Sequence, residues 1–232
     1  MDCSWDKVLK IKSKELVIGD SSIKQENAVR SIGACLDREM KMNSQVSAVC
    51  KSAWYHLYQI GKIRKYLTEE QTKSLVHAHV TSRIDQNNSL LLGLQQYKLK
   101  KIQLVQNAAA RLIKGLRKRD HITPALREMH WLPVEQRILY KVLLMVFKAL
   151  HGQGPQYISE LVNVYVPTRT LRISNECVLA VPECHYKDTR MRAFGIRAPT
   201  EWNQLPIGIR RKETVESFKS ALKTYLFRQA YQ

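Results

Sequence analysis

From Ser44 onward the apolar residues of this chain recur every three to four positions, and that period commits most of its length to helix. In the first such segment Val46, Val49, Cys50, Ala53, Leu57 and Ile60 share one face. Lys51, Tyr55, Tyr58, Lys62 and Lys65 recur on the other. A face of lysines interleaved with tyrosines has two readings. It is a solvated surface whose rings lie on neighbours, or one that meets a phosphate backbone while its rings stack on bases or sugars.

The following segments carry their own boundary signals. Thr68, Glu69, Glu70 and Gln71 form a capping box, which starts a helix at about residue 69 and carries it to Arg83. Asn87, Asn88 and Gly93 then break the pattern. Residues 98–119 hold eight basic side chains and no acidic one. There Leu99, Ile102, Val105, Ala109, Leu112 and Ile113 form a buried stripe, and Lys100, Gln103, Asn107, Arg111 and Lys114 line up opposite it. Amides set between cations suit a backbone track, because Gln and Asn donate to phosphate, sugar hydroxyl or base edge. A merely solvated face, the other reading, usually mixes signs to gain i,i+4 pairs. Gly115 ends this helix, and Arg117, Lys118 and Arg119 extend the patch into a loop.

Thr123 and Pro124 open a short helix, and Pro133 precedes a segment, residues 134–150, that is apolar nearly all round. Its narrow polar stripe is Arg137, Lys141 and Lys148, and the segment reads as a central buried helix. Beyond Pro167 the pattern loosens. VLAVP suggests one short strand, and FGIRAPTEWNQLP a loop anchored by Phe194 and Trp202. Residues 214–228 suggest a last amphipathic helix on Val215, Phe218, Leu222, Tyr225 and Leu226. Ahead of the helices, residues 8–36 carry the strand signals, with Gly-Asp-Ser-Ser as a hairpin turn.

Charge narrows the partners. The chain has 38 basic and 20 acidic residues in 232, a formal net charge of +18, which favours a polyanion. Residues 92–150 hold 12 basic and 3 acidic side chains, half of the excess. The apolar run ILYKVLLMVFKAL is interrupted by Lys141 and Lys148 and is too short to span ~30 Å of hydrocarbon. The beginning has no apolar core like that of a secretory signal, so the reading is intracellular, cytoplasmic or nuclear, with no membrane partner. Five scattered cysteines make no disulfide framework. Cys177, Cys184 and His185 form the one cluster to weigh as a metal site, and they lack paired ligand spacing, so no metal is expected. No nucleophile and base, carboxylate pair or phosphate-cradling loop stands out, which argues against an independent enzyme and leaves the catalytic residues at none.

Several segments together resemble the C-terminal part of LINE-type, non-LTR retrotransposon reverse transcriptases of the jockey-like and chicken-repeat-like branch. They are VRSIGACLD, VCKSAWYHLYQIGKIRKYLT, KSLVHAHVTSRIDQNNSLLLGL, KKIQLVQNAAARLIKG, HITPALREMHWLPVEQRILYKVLLMVFKALHG and APTEWNQLP, in order over residues 28–228. QNAAARLI and HWLPV are the most specific of them. The resemblance implies a last palm hairpin acting as primer grip, with Ile32 and Gly33 near the primer end, and a helical thumb that holds template and primer. It implies a mainly α fold: a helical thumb-like bundle and a C-terminal helical region preceded by a short β-hairpin. The matching domains are 1–40 (residual palm hairpin), 41–120 (thumb-like), 121–166 (buried helical segment) and 167–232 (C-terminal loop region and final helix).

This chain departs from the family where Asp-Tyr-Cys-Asn-Ser is replaced by Asp85, Gln86, Asn87, Asn88 and Ser89, which is expected to weaken that helix end. Ile32 stands for the usual leucine of the grip. The aspartates that hold two magnesium ions belong upstream of Met1, so no cofactor is expected here and Mg²⁺ only in a full-length polymerase. The function implied is sequence-independent binding of RNA, DNA or their hybrid, without catalysis. The alternative is a helical protein-interaction or dimerisation module, with residues 134–150 and the terminal helix forming a partner-binding or dimer surface and self-association through apolar surface left by a missing palm.

Overall fold

The computed structural model describes residues 15–24, 26–166, 177–183 and 190–231. They are mainly helical. Among the described residues two antiparallel hairpins come first, where one was expected: β1 (Glu15–Ile18) with β2 (Ser21–Lys24), and β3 (Ala28–Ser31) with β4 (Ala34–Asp37). The Gly19–Asp20 turn falls where the Gly-Asp signal put it, and the strand signals before residue 15 lie outside the described residues. The second hairpin turns on Ile32 and Gly33, both at positive φ (47° and 79°), the twist that a two-residue hairpin loop requires. Glycine takes that conformation freely. Isoleucine is strained by it, and Ile32 is 94% exposed.

Asp37 joins hairpin to helix. Its carboxylate accepts from the backbone N–H of Lys41 at 2.6 Å and of Asn43 at 3.1 Å, at the start of α1 (Asn43–Ile63). After a single 3₁₀ turn (Arg64–Tyr66) the Thr68 capping box forms as read, with Thr68 accepting from Gln71 N–H and the Gln71 side chain accepting from Thr68 N–H. The helix it opens is not uniform: α2 (Glu69–Val76) passes through a π turn (His77–Thr81) into α3 (Ser82–Asp85). The cause lies in spacing. Thr72, Val76, Val80 and Ile84 are all buried at steps of four, and each such step drifts about 40° on a regular α-helix. The wider π turn takes up that drift and keeps them on one face.

α4 (Gln96–Lys114) lies parallel to α1, joined to it at both ends. At one end Lys98 is buried (4% exposed) and its ammonium donates to the carbonyl of Lys41 at 2.8 Å. At the other the Arg64 guanidinium donates to the Leu112 carbonyl at 2.8 Å, to Ile113 at 3.0 Å and to Leu67 at 2.9 Å. The first two are carbonyls of the last turn of α4, which lack intrahelical partners. Gly115 closes that helix at φ 64°. α5 (Thr123–Glu128) follows, then α6 (Val134–Leu150), which buries Ile138, Val142, Leu143, Val146 and Phe147 as expected of a central helix.

The C-terminal part corrects two readings. Residues 194–203 are not a loop: they form α8 (Phe194–Asn203), which follows a short α7 (Gln156–Ser159) and contains Pro199. Burial of Ala198, Pro199 and Trp202 against the core outweighs the backbone bond that proline forgoes. VLAVP contributes one bridge, Val164 with Leu179, instead of a strand. The reason is that Asn203 takes the partner's place, accepting from Leu179 N–H at 2.8 Å and donating to its carbonyl at 2.9 Å. After α9 (Ile207–Arg210), α10 (Val215–Tyr231) buries Phe218, Leu222 and Leu226 on the face read from sequence. Phe218 stacks on Phe147 at 4.2 Å and on Trp202 at 5.7 Å, and Tyr231 donates its hydroxyl to the Trp131 carbonyl at 2.6 Å. One apolar cluster runs from Met42 to Leu226. Among the described residues no helix is long and apolar enough to cross a membrane.

Arg64→Ala is expected to cost about 2 kcal/mol in urea unfolding, because it removes charge-assisted bonds to helix-end carbonyls. Arg64→Lys should recover less than half, since an ammonium cannot reproduce the fork. A loss below about 0.5 kcal/mol for Arg64→Ala would show that the join contributes little.

Candidate nucleic-acid interface

α1 and α4 both fall in stretches without acid: no Asp or Glu occurs in residues 40–68 or in 86–119. Their parallel packing buries the apolar stripes together and leaves two adjoining basic faces outside. On α1, Lys51, Tyr55, Tyr58 and Lys62 are exposed, as is Lys65 in the turn beyond it, and Trp54 and Tyr66 add two more exposed rings. Tyr58 is 65% exposed, with the Lys62 ammonium 4.5 Å from its ring centre, and Lys65 stands 4.8 Å from the Tyr66 ring. Cation and ring therefore come in pairs.

On α4 the outward positions are Tyr97, Lys100, Lys101 and Leu104. Burial dominates and pushes the Cys50 thiol pKa up, while Lys101 lies close enough to α1 to pull it back down in part. Lys51, Lys62, Lys65, Lys100 and Lys101 have no carboxylate partner among the described residues.

The rest of the row read along α4 faces the protein. Gln103, Asn107, Arg111 and Lys114 are half-buried. Gln103 accepts from Val134 N–H at 2.8 Å, satisfying an orphan donor at the start of α6, while its amide donates to Asn107 at 2.8 Å. Lys114 bridges Glu69 at 2.6 Å and Glu128 at 2.7 Å. Those carboxylates, Glu128 first, raise its pKa above the ordinary 10.5. Arg111 donates to the Asp120 carbonyl at 3.3 Å, and the Asp120 carboxylate accepts from Arg117 N–H at 2.6 Å. That folds the loop back over the end of α4 and leaves Arg117, Lys118 and Arg119 exposed.

Ile32 and Gly33 sit elsewhere, at the end of α3, where Asn87 donates to the Ile32 carbonyl at 3.0 Å. That helix end is well held. Asp85 pairs with Arg137, and its backbone carbonyl accepts from Lys141 at 2.9 Å. Of the residues weighed for metal, Cys184 and His185 lie outside the described residues. Sequence reading missed Lys101, Trp54 and Tyr66, whose signal was present: each falls within an acid-free stretch on an outward helical position or just beyond it.

Comparison with family models, with curated proteins and with solved structures finds no match.

The two kinds of α4 lysine should separate experimentally. Lys114→Ala is expected to lower the urea midpoint and leave nucleic-acid affinity within about twofold, whereas Lys100→Ala should do the reverse. Because the folded Lys114 value is raised, its stabilisation is present below pH 10.5 and is lost as pH rises through the folded value, so the Lys114→Ala deficit should shrink in strong alkali. An affinity loss at Lys114 equal to that at Lys100 would contradict the division.

Proposed function

We propose that this chain binds nucleic acid without regard to sequence, through the adjoining outward faces of α1 and α4. One observation carries the reading: unpaired lysines and exposed aromatic rings share a surface built from two acid-free helices. A surface of this composition attracts the phosphate backbone and offers π-faces to bases of any identity. Arg117, Lys118 and Arg119 add attraction at one end. In this reading the chain corresponds to the thumb and C-terminal region of a non-LTR reverse transcriptase and grips template and primer without performing chemistry. The resemblance in QNAAARLI and HWLPV supports that correspondence.

A second reading, a helical protein-interaction or dimerisation module, draws on Leu104, 60% exposed in the middle of the same face. Light scattering decides between them. Self-association that persists in high salt, with no salt-dependent binding of nucleic acid, would favour the module.

For the five free lysines, log affinity against log salt should slope at roughly −4.5 on duplex and −3.5 on single strands. Lys51→Glu with Lys62→Glu should reduce the slope by about two. Tyr58→Ala should cost about tenfold on single strands at unchanged slope, by loss of stacking. A slope near zero in fluorescence anisotropy would remove the proposal.

A further inference from the structure

On another part of the molecule a cleft of about 570 Å³ opens between α2, the turn before α6, α6 itself and α10. Its size falls within the range of small-ligand sites. Arg137 and Lys141 from the polar stripe of α6, which a core reading left without a role, form one wall. Arg137 is matched there by Asp85, with Nε to Oδ1 at 3.0 Å, and Lys141 is steered by the Asp85 carbonyl at 2.9 Å. Asp85 is the acidic side chain of the lining, and Arg137 satisfies it. Lys73 from α2, Lys141 from α6 and Lys223 from α10 therefore present an uncompensated positive field from three sides.

The floor is of different chemistry. Met129, Leu132 and Leu144 give it apolar surface, and Trp131 stands edge-on to His77 with ring centres 5.3 Å apart. At its edge Asn88, 3% exposed, donates to Asp85 at 3.3 Å while its own side-chain oxygen is buried with no partner. An acceptor left unpaired beside apolar and cationic lining calls for a donor.

We propose that this cleft binds a nucleotide. Its phosphates lie among Lys73, Lys141 and Lys223, its base rests on the Met129–Leu132 floor, and an exocyclic amine of the base donates to the Asn88 amide oxygen, which turns toward the cleft to meet it. Lys141 and Arg137 are positioned in advance by Asp85, so little ordering is needed on binding. A free nucleotide and the terminal nucleotide of a strand carry the same chemistry. The inference stands apart from the α1–α4 face, because no residue is shared between the two.

The test is calorimetry on the full chain carrying Lys51→Glu and Lys62→Glu, which removes the first face. CTP is expected to bind at least tenfold more tightly than tripolyphosphate, which lacks a base. It should also bind about fivefold to tenfold more tightly than UTP, which has the same ring size and no exocyclic amine. Adding Lys73→Glu and Lys223→Glu should weaken CTP at least tenfold, with the ligand-free unfolding midpoint unchanged. If that combination fails to fold, Lys223→Glu alone, on the exposed side of α10, should still weaken it about threefold to fivefold. A 5′-phosphorylated tetracytidylate that binds more tightly than CTP assigns the cleft to a strand end, and weaker binding assigns it to free nucleotide. The proposal is overturned by no binding of CTP or tetracytidylate at millimolar concentration, by tripolyphosphate binding as tightly as CTP, by equal affinity for CTP and UTP, or by indifference to Lys223.

Discussion

Two cations placed between α1 and α4 govern the arrangement of everything around them. Lys98 reaches the carbonyl of Lys41 where the helices begin, and Arg64 reaches the carbonyls of Leu112 and Ile113 where α4 ends. Each answers a backbone acceptor that would otherwise be left without a partner in a partly dry environment, which is costly. Together they fix the helices parallel and in register. Only in that register do the two acid-free faces adjoin, and only then do the side-chain amides of α4 reach the N-terminus of α6. The core that includes Phe147, Trp202 and Phe218 is built on α6 in turn.

A large positive charge is therefore put to three uses in one small molecule. Lys98, Arg64, Lys114 and Arg137 hold the fold, through carbonyls in the first two cases and carboxylates in the others. Lys51, Lys62, Lys65, Lys100 and Lys101 stand free on the α1–α4 surface. Lys73, Lys141 and Lys223 converge on a separate cleft. Net charge alone does not distinguish these roles, since each lysine contributes equally to the total and unequally to the field outside. Screening adds to the distinction: the free lysines act through solvent and weaken with salt, whereas the buried contacts are much less affected.

Much of the helical framework was legible because local signals and burial agree. The Thr68 box, the Gly115 stop, the apolar stripe of α4 and the Phe218–Leu222–Leu226 face of α10 each have a short-range cause and a matching place in the core. The π turn was written in the steps of four from Thr72 to Ile84, a spacing easily read as ordinary helix. Other features depend on partners distant in sequence. Lys98 reads as surface charge until Lys41 is brought beside it, and Gln103 as a donor to phosphate until Val134 is. Residues 194–203 look like a loop because Pro199 and Gly195 oppose helix, and only contact with the core reverses that preference. The α1 part of the candidate surface was visible as lysine and tyrosine at helical spacing, whereas the α4 part shifted toward Lys101 and Leu104 once packing had turned that helix.

The division of the lysines is tested most directly by acylation footprinting with mass spectrometry, with and without a short single strand of mixed sequence. Lys98 and Lys114 should react slowly in both conditions, while Lys51, Lys62, Lys65, Lys100 and Lys101 should react fast alone and be protected together when the strand is present. Uniform reactivity, or protection that leaves α1 and α4 untouched, would contradict the account.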